Sequence, residues 1–156
     1  MLRTLRARTH KDGGFTLIEL MIVVLIVAIL IAIGIPTFLG ARTKGQDRAA
    51  QVDLRQGLLT SKSYYVDQES FAAANQAATE AAYESLEPTL DFTTIALSDK
   101  TLIGVGATAD DVLLVKQSSS GTFWCIAETE SAGTTFGTGA ALANVDTVAE
   151  CASSSW

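Results

Sequence analysis

The sequence predicts an α+β fold in which one long N-terminal helix packs on a small antiparallel β-sheet. Residues 20–33 form an unbroken apolar run, and the chain stays compatible with a helix to about Val66. From Asp91 onward the apolar period changes towards two, in segments rich in threonine, β-branched and aromatic residues. A sheet of this kind needs one covered face, and the distal half of the helix is the expected cover.

The first half of the helix predicts a membrane span. Together with its flanks the apolar run exceeds the roughly 20 residues that cross a bilayer. Basic residues before it are expected to hold that end in the cytoplasm; they are Arg3, Arg6, Arg8 and Lys11. A small-residue cleavage site after the run matches poorly near residues 39–41, so the segment is expected to be retained. The alternative is cleavage near Ala41, which would release a secreted binding domain.

Three residues interrupt this apolar segment. Glu19 places a carboxylate in it, at a cost of at least about 2.5 kcal/mol if it lies at hydrocarbon depth, so Glu19 needs a partner. No basic side chain is an evident partner, because the next cationic cluster begins only at Arg42. Gly34 and Pro36 weaken the helix, which we expect to kink or open there.

The second half of the helix carries two apolar stripes at helical spacing. One consists of Ala50, Leu54, Leu58 and Tyr65, and the other of Val52, Leu59 and Val66. Either one stripe packs on the head and the other on a neighbouring subunit, or both belong to one ragged core face.

Beyond the helix the pattern predicts a small head. A short helix is expected from Gln76 to Leu86, with Asn75 as its N-cap and Pro88 ending it. Strands are expected over residues 92–97, 101–107, 111–117 and 122–129, in an antiparallel meander. The tail from Ser131 is rich in glycine, threonine and alanine and is predicted to be weakly structured by itself.

Charge is unevenly distributed along a chain whose net charge is -6. Residues 67–156 hold thirteen acidic side chains and two lysines, so nucleic-acid binding is not predicted. Five basic residues lie on the distal half of the helix: Arg42, Lys44, Arg48, Arg55 and Lys62. Anionic lipid or DNA would suit them, but pairing with the acidic heads of neighbouring subunits is the simpler hypothesis.

Cys125 and Cys151 both lie in the acidic part of the chain. If the apolar segment directs that part out of the cytoplasm, the pair meets oxidant and a disulfide is predicted, the alternative being two buried thiols. Closing this loop would stabilise the head by roughly 3 kcal/mol.

No catalytic, cofactor or metal site is predicted. The single histidine, His10, lies before the apolar segment, and two short Gly-x-Gly fragments do not complete a phosphate-binding loop. Two acidic pairs are weak calcium candidates, since no run of alternating oxygen ligands surrounds them; they are Asp110 with Asp111 and Asp146 with Glu150. Solvated turns are the better interpretation of both.

The segment GGFTLIEL, residues 13–20, resembles the processing site of a prepilin, the precursor of type IV pilins and of type II secretion pseudopilins. The resemblance covers roughly residues 13–66. It implies that a membrane peptidase cuts after Gly14 and methylates the new N-terminus at Phe15. The chain would then consist of a leader (1–14), a transmembrane and filament-core helix (15–41) and a globular head (42–156).

The resemblance also implies the function of a major pilin, a structural subunit rather than an enzyme. The precursor would sit in the inner membrane among lipid, and an assembly platform and its ATPase would move it into an extracellular homopolymer. In the filament, Glu19 of an incoming subunit would pair with the amine of Phe15 on its neighbour, and the helix near Pro36 would unwind or stay kinked. A type II secretion pseudopilin and a minor pilin are the alternatives. Since Glu19 has no other evident partner, it is expected to remain idle until Gly14 is cleaved.

Overall fold

The computed structural model describes residues 14–97 and 99–156, so the predicted leader lies outside the described residues except for Gly14. The elements are α1 (Leu17–Gln68), α2 (Gln76–Leu86), β1 (Phe92–Thr94), β2 (Ile103–Ala107), β3 (Asp111–Gln117), β4 (Phe123–Thr129), β5 (Gly133–Gly139), a 3-10 turn (Leu142–Asn144) and α3 (Val148–Ala152). The described chain divides into two compact units, one ending at Gly40 and the other comprising Ala41–Trp156. Helix α1 contributes to both units.

In the first unit α1 is apolar and exposed, and by length and composition it is able to cross a membrane. The expected opening of the helix at Gly34 and Pro36 is not seen, because α1 runs through both residues without interruption. Proline removes a single backbone donor, and its fixed φ is itself close to that of a helix. The Thr37 hydroxyl donates to the Ile33 carbonyl at 3.0 Å within this turn. Unwinding within a filament stays a prediction.

In the second unit the two stripes of α1 have different environments. Ala50, Leu54 and Leu58 are buried, whereas Val52 and Leu59 are exposed. The buried stripe joins one core cluster with apolar residues of β2, β3 and β4, namely Ile103, Val105, Val112, Leu114 and Ile126. The two stripes therefore belong to separate faces, and the interpretation of one ragged core face is wrong, whereas packing of the exposed stripe on a neighbouring subunit stays a prediction.

The sheet has the order β1-β2-β3-β4-β5. Strands β2 to β5 are antiparallel neighbours, but β1 pairs with β2 in parallel, with Phe92 opposite Ile103. The prediction of an antiparallel meander is thus wrong for this first pair, and β1 ends at Thr94 rather than Leu97. A tight turn in which Leu97 N–H donates to the Ile95 carbonyl at 2.7 Å redirects the chain there.

Both faces of the sheet are covered, which explains why β3 is buried from Val112 to Lys116. On the face away from α1 the core contains Leu113, Val115, Cys125, Ala127, Val145 and Cys151, with Ile95 and Leu97 packed against them. The C-terminal part of the chain supplies this second cover. It also supplies β5, which was not predicted because its sequence GTTFGTG has few strand-forming apolar residues.

Helix α2 has the predicted bounds. The Asn75 side chain accepts a hydrogen bond from Ala78 N–H at 3.0 Å, which is the expected N-cap contact. Its buried residue Tyr83 fills the space between α1 and β1, with its ring 5.6 Å from Tyr64 and 5.5 Å from Phe92.

Candidate assembly site

The first turn of α1 is closed by a reciprocal capping box between Thr16 and Glu19. Glu19 N–H donates to Thr16 Oγ1 at 3.3 Å. In return, Glu19 Oε2 accepts from the Thr16 N–H and from its hydroxyl, both at 2.8 Å. Two of the backbone donors that a helix N-terminus leaves open are thereby satisfied.

Glu19 is therefore not idle before cleavage, and that prediction is wrong. Thr16 is its partner within the chain, and the sequence carried the signal, since Thr-x-x-Glu before an apolar run is the capping-box pattern. The contacts use one carboxylate oxygen only: within residues 14–97 and 99–156, Oε1 has no hydrogen-bond partner. A capped Glu19 can thus still accept an additional cation through Oε1.

The bond between Gly14 and Phe15 lies ahead of the helix in exposed, irregular backbone. Phe15 is 87 % exposed, and a Cβ added to Gly14 would meet no atom within 4 Å. Proteolysis concentrates in exposed backbone without regular secondary structure, and this bond lies in such backbone. Cleavage here would place an α-amino group next to the residue that caps Glu19.

A disulfide joins Cys125 in β4 to Cys151 in α3, with the two Cα atoms 5.9 Å apart. Gly137 of β5 lies directly over it, because a Cβ there would be 2.7 Å from Cys125 Sγ. Trp156 continues this cover and donates its Nε1–H to the Cys125 and Gly137 carbonyls at 3.1 and 2.8 Å. The disulfide thus fastens the C-terminal segment to the sheet.

Sequence reasoning missed Trp156. Its ring contacts Trp124 and Phe136 at centroid distances of 5.8 and 4.8 Å, and the Arg55 guanidinium lies 5.0 Å above it. A cation over an indole face is a favourable pairing. A single aromatic residue behind a Ser-rich stretch carries no periodicity, so no pattern in the sequence indicated this role.

The acidic pair in the C-terminal segment is held by hydrogen bonds within that segment. A hydrogen bond to the Glu150 carboxyl group raises the pKa of Asp146, whereas the Thr147 hydroxyl lowers the pKa of Glu150. In the part of the chain that the structure describes, no three potential metal ligands come together. Asp146 and Glu150 are therefore explained by local hydrogen bonding around the start of α3.

An apolar helix with a capped glutamate and an exposed Gly-Phe bond at its start, followed by a disulfide-closed α+β head, is the layout of a protein anchored in a membrane by its N-terminal helix. The model of the prokaryotic N-terminal methylation motif matches residues 9–35. The type IV wide pilus major component PilA4 of Thermus thermophilus is 30 % identical over 111 residues, which cover 71 % of this chain and 77 % of that protein.

A second relative is the type IV major pilin protein PilA of Myxococcus xanthus. It is 37 % identical over 62 residues, which cover 40 % of this chain and 28 % of that protein. No solved structure matches. The chain belongs to the type IV pilin family, and it is a structural subunit that passes from the inner membrane to an extracellular pilus.

Proposed function

We propose that this chain is the major pilin of its pilus and that it polymerises by an ion pair between subunits. In this pair, Glu19 of an incoming copy faces the methylated α-amine of Phe15 on a copy already assembled. An ammonium and a carboxylate in an apolar medium compensate each other, and leaving either one alone costs about 3 to 5 kcal/mol.

The observation that carries the proposal is the geometry of the capping box. Thr16 occupies Oε2 of Glu19 and fixes the side chain at the start of α1, while Oε1 has no partner among the described residues. A carboxylate held in one position loses less side-chain entropy when it pairs. Beyond it, the exposed apolar surface of α1 suits a core made of neighbouring helices once lipid is left behind.

The proposal assigns three segments to three stages. The leader (1–14) is removed by a prepilin peptidase that also methylates Phe15, in keeping with the methylation motif over residues 9–35. The helix (15–41) anchors the precursor in lipid and later forms the filament core, with Gly34 and Pro36 as the point where it loosens. The head (42–156) covers the filament, closed by the bond between Cys125 and Cys151.

The partners follow from the same scheme. The filament is a homo-oligomer. Extraction of the subunit from lipid needs an assembly platform and its ATPase, which are separate proteins. The role is structural, as in the two type IV pilins that this chain resembles. The name of the Thermus relative, a major component, favours the major over a minor pilin. Quantifying this chain in sheared pili tests that assignment, since a minor pilin would be a trace component.

The ion pair is tested by separating the charge of Glu19 from its capping role. Glu19→Gln keeps a capping box, since glutamine serves at this position, but it removes the charge. Thr16→Ala is the matched control: it removes the cap at a cost of about 1 kcal/mol of helix stability and leaves the carboxylate intact.

We expect Glu19→Gln to lower the yield of sheared pili by more than about tenfold, because an unpaired ammonium remains in the core. Thr16→Ala should assemble within a few-fold of the wild type. Equal amounts of processed subunit in the membrane, measured by immunoblotting, establish that the step lost is assembly. Normal piliation by Glu19→Gln would refute the ion pair and leave Glu19 with the capping role alone.

A further inference from the structure

The exposed apolar residues of α1 in the head form a continuous line along one side of the helix. Val52, Leu59 and Val66 are 59, 62 and 78 % exposed. They are seven residues apart, close to two helical turns, so they line up along one side of the helix. This outer stripe lies away from Leu54 and Leu58, which pack on the sheet. Apolar residues that recur at this interval on an exposed helix face are typical of a surface covered by another protein element.

A row of cations runs beside the outer stripe. Arg48, Arg55 and Lys62 each lie four residues before a member of the stripe, hence one turn away. Arg55 stacks over Trp156, and Lys62 is 3.0 Å from Glu128. Arg48, by contrast, has no ion-pair or hydrogen-bond partner among residues 14–97 and 99–156. The same holds for Arg42, which lies outside this row, on the other side of the outer stripe.

The two aspartates nearest Arg48 in the sequence, Asp47 and Asp53, do not neutralise it, because both are engaged elsewhere. Asp47 accepts a hydrogen bond from Ser120 at 2.5 Å, and Asp53 lies 3.4 Å from Lys116. The outer stripe is therefore an apolar line with a positive flank.

The acidic counterpart is found on the same molecule. Residues 67–156 carry thirteen acidic side chains and two lysines. Among the acids, Asp110 and Glu130 are exposed and have no side-chain partner within the described residues. They line one cleft of about 400 Å³ together with Tyr65, and Lys62 and Val66 line it as well, so this acidic cleft adjoins the distal end of the outer stripe.

We propose that the proximal part of the outer stripe, around Val52 and Leu59, is a docking surface for the acidic cleft of a second copy of this chain, whose Asp110 and Glu130 face Arg48 on one side of the stripe and Arg42 on the other. Two outer stripes facing each other would bring like charges together, so symmetric pairing is disfavoured. Contact between unlike surfaces leaves one of each kind open on every copy, and repetition gives an open helical polymer. The inference rests on the proposed function, since a polymer supplies the second copy.

Charge exchange tests this contact in cells that produce pili from the full-length chain. Arg42→Glu/Arg48→Glu reverses the basic side, and Asp110→Lys/Glu130→Lys reverses the acidic side. Each pair of changes should lower the yield of sheared pili by at least about tenfold, because like charges across an interface cost several kcal/mol. The four changes together should restore the yield to within a few-fold of the wild type, since the ion pairs re-form with opposite polarity.

Two controls separate docking from folding. Lys100→Glu reverses an exposed charge whose only contact among the described residues is with the Ser119 carbonyl at 3.5 Å, and it should assemble normally. Leu59→Ser removes a member of the outer stripe without touching the core, and it should lower the yield while leaving the thermal unfolding temperature of the detergent-solubilised subunit unchanged.

Normal piliation by either reversed variant would overturn the proposal. So would loss of pili that the fourfold variant does not restore, which would assign the basic flank to anionic lipid or another partner. The proposed function fails separately, through wild-type cells whose pili lack this chain or through an unmodified N-terminus. If wild-type pili contain the processed chain but the charge-reversed variants also assemble normally, only the docking surface would be refuted.

Discussion

At the scale of single residues, Gly137 shows how closely the head is packed around its disulfide. A Cβ at this position would lie 2.7 Å from Cys125 Sγ and 2.9 Å from Cys151 Cα. One of these neighbours is backbone and the other is fixed by a covalent bond, so neither can move aside at low cost. Only glycine allows β5 to pass here.

Replacing Gly137 by alanine should destabilise the head by about 1 to 3 kcal/mol, because the extra methyl group overpacks a rigid site. Gly45→Ala is the matched control: a Cβ at this exposed position of α1 meets nothing within 4 Å, so the change should be neutral or stabilising by up to about 1 kcal/mol. Urea unfolding of the subunit in detergent, followed by circular dichroism, measures both. Equal stability of the two variants would contradict the packing described around the disulfide.

Tyr83 is expected to make the head less stable at alkaline pH. Its hydroxyl donates to the Phe71 carbonyl at 2.7 Å, and burial raises the pKa of Tyr83 above its ordinary value. The folded chain therefore favours the neutral phenol, whereas the unfolded chain ionises near pH 10. The stabilisation is complete below about pH 10 and is lost as the pH rises further.

The free energy of unfolding should consequently fall above about pH 10, and Tyr83→Phe should remove this share of the decline. At neutral pH the same change should cost about 1 to 2 kcal/mol, because the Phe71 carbonyl loses its donor. Tyr65→Phe is the control, as its hydroxyl makes no hydrogen bond among the described residues. Identical pH profiles for Tyr83→Phe and the wild type would show that Tyr83 is not responsible.

At the scale of elements, the local sequence was sufficient to predict the bounds of a helix that has capping residues and of a strand that is buried on both faces. Helix α2 and strand β3 have the predicted bounds, because Asn75 and Pro88 mark the former and a continuous apolar run marks the latter. Strand β5 could not be predicted, since its pairing with β4 is decided by the disulfide and by the close approach that Gly137 allows. The parallel pairing of β1 was not predicted either; beyond β1, Ile95 and Leu97 pack against the core on the face away from α1, a tertiary contact that no local pattern indicates.

Removing the disulfide should release the C-terminal segment while α1 and β2 to β4 stay folded. Cys125→Ser/Cys151→Ser should lose about 3 kcal/mol, and amide hydrogens of β5 and α3 should exchange faster than those of β3. Hydrogen exchange followed by mass spectrometry localises the change, with the wild-type subunit as the reference. Unchanged protection of β5 would mean that the hydrogen bonds from Thr138 N–H to Ser154 and from Trp156 to the Gly137 carbonyl suffice to hold the segment.

At the scale of the whole molecule, the sequence predicted more detail for the membrane segment than for the head. The apolar run, Glu19 and the Gly-Phe bond predicted an assembly end, whereas the capping contact with Thr16 came from the structure. The sequence also indicated two helix faces, and the structure shows which one is buried. A cationic helix face and an acidic head on one chain fit head-to-tail association, which the charge-exchange variants test.

The most direct test of the pilin function is the mass of the N-terminal peptide from sheared pili. If the leader is removed after Gly14 and the new terminus enters the filament core, tandem mass spectrometry should find a chain that begins at Phe15 with one N-methyl group. A filament-derived chain that begins at Met1, or a secreted product that begins near Arg42, would contradict the account of Glu19 and of α1 as the polymerising element.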